Sequence, residues 1–115
     1  MITVTFHRDK GARCLLLKVS GHAGAAEEGK DIICASASIL AYTVAQEAEN
    51  MERRHQLEEP PYIRKDKGDF VTMIHPKNDA AYADALHTFY VAEVGFSLLA
   101  HNYPQYVELK HGDKA

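Results

Sequence analysis

The stretch Ser20 to Leu40, SGHAGAAEEGKDIICASASIL, marks the point where the chain changes its hydrophobic period. Before it, Leu15, Leu17 and Val19 alternate with polar or smaller neighbours, the period of two expected of a strand over Arg13–Ser20. After it, Ile33, Ala37, Leu40, Ala41, Val44, Ala48 and Met51 recur at helical spacing. Between the two lie Gly21, Gly24 and Gly29, the acidic Glu27 and Glu28, and otherwise mostly small side chains. Such a segment has little with which to anchor itself, and a mobile loop hinged on those glycines is the expectation. Asp31 is placed to open the helix, its carboxylate accepting backbone N–H groups and facing the positive end of the dipole.

Working outward, Ile2, Val4 and Phe6 alternate with Thr3, Thr5 and His7, a first strand. Arg8-Asp9-Lys10-Gly11 reads as a turn in which Gly11 can take positive φ, so the first two strands form a hairpin. Downstream, Glu59-Pro60-Pro61 forbids continuation of the helix, which should end near Arg54 or His55. Tyr62–Lys65 and Phe70–His75 bracket Asp66-Lys67-Gly68-Asp69, a second hairpin. Asn78 or Asp79 caps a second helix with Leu86, Tyr90, Val94 and Leu98 on one stripe, Val91 and Gly95 alongside, and Phe89, Phe96 and Leu99 widening it. Pro104 closes that helix. Tyr106–Lys110 alternates as a last strand, and His111–Ala115 reads as a frayed polar tail. The predicted order is β-β-α-β-β-α-β in one α+β domain over residues 1–115, a mixed sheet with both helices packed on one face. Ile32, Ile39 and Tyr42 form a second apolar side on the first helix. Packing between the helices and a dimer interface account for that surplus equally well.

Composition narrows the function classes. With 115 residues, 46% hydrophobic and 25% charged, the chain has the balance of an ordinary globular domain. A net charge of -3 argues against nucleic acid as a direct ligand. There is no apolar run of the roughly 20 residues needed to span a bilayer, and no signal-peptide pattern, so a cytoplasmic location is expected. Two cysteines make no disulfide framework. Cys14, in a strand among leucines, reads as a core residue. The seven histidines lack ligand spacing beside a cysteine, so neither metal nor cofactor is expected.

Cys34 has a different setting. If Asp31 is the cap, the thiol belongs to the helix's first turn, where unpaired N–H groups and the dipole favour a thiolate. Those same N–H groups can receive an oxyanion. His22 lies twelve positions earlier, across the glycine loop. Nucleophile, base and oxyanion donors would come from one short segment, the minimum kit for acyl transfer. The plain alternative is that Cys34 is a small buried hydrophobe and His22 a solvated loop residue. Asp31 is equally open: a helix cap first, or the group that orients His22.

Residue identity goes beyond spacing. Gly21-His22-Ala23-Gly24, followed by Gly29, Asp31-Ile32-Ile33-Cys34-Ala35 and Ser38, resembles the signature of the ribosomal-processing cysteine protease family, Prp. The first hairpin, the element order and the closing segment YPQYVEL also look like that family. Ala25 stands where many members have an aromatic residue, and Ile33 where valine is commoner. The resemblance implies a cysteine endopeptidase that removes the N-terminal extension of a large-subunit ribosomal protein. His22 would be base and acid, and Cys34 the nucleophile. Supporting roles would fall to Asp31, to the Ala35 N–H as an oxyanion donor, and to Ser38, with Gly21, Gly24 and Gly29 as loop hinges. It further implies a homodimer and an extension peptide rich in aromatic residues as substrate. The competing classes are a non-catalytic ribosome-assembly or partner-binding module and a redox-sensing thiol protein.

Overall fold

The computed structural model describes residues 1–21 and 30–114, with side chains over 1–21 and 32–112. The elements are β1 (Ile2–Asp9), β2 (Cys14–Gly21), α1 (Lys30–Arg53), β3 (Tyr62–Asp66), β4 (Asp69–Ile74), α2 (Asp79–Asn102) and β5 (Val107–Lys114). The sheet order is β3-β4-β2-β1-β5. β1 and β5 run parallel and every other pair antiparallel, so the sheet is mixed and the α+β order is the one expected.

Alternation decides which side of the sheet is covered. Ile2, Val4 and Phe6 of β1 and Leu15 and Leu17 of β2 are buried under the helices. Phe6 meets the rings of Phe89 and Phe96 of α2 edge-on at 6.3 and 5.9 Å. Ile33, Ala37, Ala41, Val44, Ala48 and Met51 of α1 close over the same core. A Cβ on Gly95 would lie 2.8 Å from Leu40 Cδ2, so the two helices approach closely there.

Local chemistry sets the boundaries. α1 ends as a Schellman motif: His55 takes φ 58°, Gln56 N–H donates to the Met51 carbonyl, and His55 N–H to that of Glu52. Asn78 caps α2 by accepting the Ala81 N–H at 2.9 Å. In the β3–β4 turn Gly68 takes φ +92°. In the β1–β2 turn it is Arg13, at φ 48°, and not Gly11 that carries positive φ. Asp9 Oδ1 accepts the Ala12 N–H, and the Arg13 side chain is held by Asp79 at 2.9 Å, fixing the turn to the start of α2.

Two further expectations need correcting. The polar segment from His111 is strand, not frayed tail, because β1 supplies a parallel partner: His111 and Gly112 stand opposite Phe6 and His7. His7 Nδ1 hydrogen-bonds the Gly112 carbonyl at 2.6 Å, and His111 pairs with Glu93 at 3.0 Å. On α2 the sheet takes the side bearing Tyr82, Ala85, Phe89, Ala92 and Phe96, so Tyr90, Val91, Val94 and Leu98 face outward.

Candidate active site

Cys34 sits near the N-terminus of α1, half-buried and packed against the core cluster. Its position is set by its neighbours: Ile33 is buried and anchors the helix start to the sheet, while Ile32 and Ala35 are exposed. Ser38 follows one turn later and is exposed. The i, i+4, i+8 row then continues to Tyr42, whose ring meets Phe70 of β4 edge-on at 5.0 Å. The row therefore runs along the side of α1 that faces β4.

The helix begins two residues earlier than an Asp31 cap would have it. With Lys30 first, Asp31 stands inside the first turn rather than at the cap, and Cys34 is the fifth residue. An α-helix starting there pairs the Cys34 N–H with the Lys30 carbonyl and the Ala35 N–H with that of Asp31. The Ala35 donor is thus engaged in the ladder, and the donors outside it lie from Lys30 to Ile32.

Gly21 ends β2 under tight control. It takes φ +86°, its N–H donates to the Gly68 carbonyl at 2.8 Å, and a Cβ would run into the Met1 carbonyl oxygen. Gly21 is accordingly a fixed post rather than a hinge. His22, Ala25, Glu27, Glu28, the hinges at Gly24 and Gly29 and the expected loop mobility lie outside the described residues.

The second thiol is differently placed. Cys14 is half-buried on the helix-free face of the sheet, so it is not the core residue its sequence setting suggests. It lines a cavity of about 260 Å³ with His7, Leu16 and His75. Burial pushes its thiol above the ordinary value of 9.0, and the carboxylates of Asp9 and Glu59 push it further. Glu59 itself pairs with His75 at 3.1 Å. His7, His75 and His111 are thus all accounted for by structural contacts.

What sequence reasoning missed is a groove of about 850 Å³ running along α1. Tyr42 of α1, Ile63 and Lys65 of β3, Phe70 of β4, and His87 and Val91 of α2 are among its lining residues. Lys65 Nζ lies over the Tyr42 ring, 4.6 Å from its centroid. The available signal was the eight-residue spacing from Cys34 to Tyr42, but nothing local brings Phe70 and Lys65 against it.

Comparison with known proteins gives a family. The model of the family described as cysteine protease Prp matches residues 1–108. No curated protein is matched by the sequence. Among solved structures, SMU.848 from Streptococcus mutans shares 27% identity at a TM-score of 0.69, covering 99% of this chain and 96% of that one. The essential ribosomal processing protease Prp from S. aureus, in complex with a covalently linked product peptide, shares 24% identity at a TM-score of 0.68. That match covers 97% of this chain and 100% of the other. The same S. aureus protease in complex with a substrate peptide matches at 23% identity and a TM-score of 0.68, with the same coverage. At these last identities the likeness is one of fold.

Proposed function

Because this chain belongs to the family of the cysteine protease Prp, and is itself a cysteine protease, we propose that Cys34 is its nucleophile and His22 its base. The reaction is hydrolysis of a peptide bond that releases the N-terminal extension of a large ribosomal subunit protein. One observation carries the choice of thiol. Of two cysteines, Cys14 has its thiol raised by burial and by two carboxylates, on a face away from the helices. A thiol held protonated is a poor nucleophile near neutrality. Cys34 stands near the N-terminal end of α1, the end at which the first-turn N–H groups have no partner within the helix. Family membership also sets aside the non-catalytic module and the redox sensor as primary roles.

In the mechanism, the Cys34 thiolate attacks the carbonyl carbon of an extended peptide. N–H groups from Lys30 to Ile32 stabilise the oxyanion, in place of the Ala35 donor. Protonated His22 gives its proton to the leaving amine, and neutral His22 then activates the water that hydrolyses the thioester. Asp31, inside the first turn, is the candidate support for His22 or for the helix start, and exposed Ser38 lies one turn beyond Cys34. The S. aureus structures hold substrate and product peptides, which supports a peptide substrate here. The test is a peptide spanning the extension junction, incubated with wild type, Cys34→Ser and His22→Ala. Each variant is expected to lose at least about a thousandfold in kcat. Full cleavage by either would overturn the assignment.

The active form is a homodimer working in the cytoplasm. Its support is the outer surface of the helices, where Ile32, Ile39, Val91, Val94 and Leu98 are 58–66% exposed. A patch of that kind marks an association surface. Among the described residues no helix is long and apolar enough to cross a membrane.

A further inference from the structure

We infer that the turn joining β3 to β4 positions the base: the Gly68 carbonyl, through the Gly21 N–H, sets the direction in which the chain leaves β2 for His22. Gly68 is thereby a positioning residue of the protease, outside the segment that carries its chemistry. The inference rests on His22 and Cys34 being base and nucleophile.

The link lies beyond the regular ladder. The β2–β4 register ends at Ser20 opposite Asp69, and the β3–β4 register at Asp66 opposite Asp69. One residue further on, the Gly21 N–H donates to the Gly68 carbonyl at 2.8 Å, strand end to turn. On its other side Gly21 stands opposite Ile2 of β1. Both partners of that hydrogen bond take positive φ, 86° at Gly21 and 92° at Gly68. A side chain at either position strains the backbone that carries the donor or the acceptor. Of the two central turn residues only Gly68 has positive φ, the pattern of a type II turn, which calls for glycine there.

The same hairpin also reaches the helix that bears the thiol. Arg64 pairs with Asp66 at 3.2 Å and with Asp69 at 3.8 Å, a brace across the turn. Next to Asp69, Phe70 meets the Tyr42 ring edge-on at 5.0 Å, in a corner where Lys65 Nζ lies 4.6 Å from the Tyr42 centroid. Tyr42 is eight residues, about two turns, beyond Cys34 on α1. Two residues apart on one hairpin, Gly68 holds the residue before His22 and Phe70 packs on the helix of Cys34. Proton transfer between base and thiol depends on hydrogen-bond reach, and a displacement of about 1 Å costs roughly a hundredfold.

The experiment compares wild type, Gly68→Ala and Gly68→Asn on the junction peptide, with site-resolved Cys34 alkylation against pH as the second readout. Gly68→Ala should lower kcat about thirtyfold and leave KM within about twofold, because the residues that meet the peptide are unchanged. Its Cys34 alkylation profile should move onto that of His22→Ala, because a displaced imidazole no longer assists the thiolate. Loss of stability alone does not produce that shift. Asparagine tolerates the left-handed region, so Gly68→Asn should recover the rate to within about threefold. A chain with an ester in place of the Gly21 N–H, assembled by ligation at Cys34, removes the donor and alters no side chain. It should reproduce the Gly68→Ala loss, and it decides the question if Gly68→Ala does not fold. Wild-type kcat in the ester chain overturns the inference, as does a Gly68→Ala alkylation profile that stays with wild type. Full cleavage by His22→Ala instead removes the proposed base, and the positioning role with it. An inactive His22→Ala beside a fully active ester chain removes the positioning role alone.

Discussion

At the residue scale the two thiols are set apart by their surroundings. Desolvation of Cys14, with Asp9 and Glu59 nearby, raises its pKa above 9.0, so the folded state holds the thiol proton more tightly than the unfolded chain does. Stability from this source is fully present below the ordinary thiol value and is lost as pH rises through the raised folded value. Cys14→Ser should therefore flatten the alkaline fall in stability followed by thermal melts between pH 8 and 10. Site-resolved alkylation should show the Cys14 rate still climbing above pH 9. A Cys14 plateau near pH 8 would contradict the shift. Gly21 is the other decisive residue. Gly21→Ala puts a side chain into the left-handed region and against the Met1 carbonyl, and is expected to cost about 2 kcal/mol by chemical denaturation. Since His22 follows directly, cleavage should fall with it.

At the element scale the helix ends carry the testable energetics. His55 occupies a left-handed C-cap position that glycine usually fills. His55→Gly relieves about 1–2 kcal/mol of backbone strain, against a smaller gain in unfolded-chain entropy. The net should be a stabilisation of about 0.5–1 kcal/mol, or roughly 4 °C in Tm. At the start of α2, Asn78→Ala removes the acceptor of the Ala81 N–H and should cost about 1 kcal/mol. Sequence narrowed the cap to Asn78 or Asp79 and, through the following prolines, the stop to Arg54 or His55; the structure takes Asn78 and His55. The Cys34 helix was equally legible, because the row Ile33–Met51 recurs at helical spacing, although Ile32, Ile39 and Tyr42 add a second apolar side that the fold leaves exposed. The start at Lys30 was not, since Asp31 suits a first turn as well as a cap.

At the scale of the whole molecule the sheet has, among the described residues, helices on one face only, and the helices leave an apolar outer surface of their own. If that surface joins two copies, Val94→Glu with Leu98→Glu should yield a folded monomer. Light scattering at micromolar protein checks this, and a monomeric wild type would remove the dimer. Both positions are about 60% exposed, so two carboxylates there leave the core intact.

The sequence by itself determined the element order, both hairpins, the buried face of α1 and the segment that carries Cys34. Each of these is written in local periodicity and in turn residues, which act between near neighbours. Tertiary structure alone decided the rest. α2 is apolar on most sides, so its period is degenerate, and the sheet chose the Phe89 and Phe96 side because those rings fit around Phe6. β5 runs on through His111 and Gly112 because β1 lies parallel beside it, a partner more than one hundred residues away. The Tyr42–Phe70–Lys65 corner has the same origin: its parts come from two regions of the chain that only the packing of α1 against β4 brings into contact.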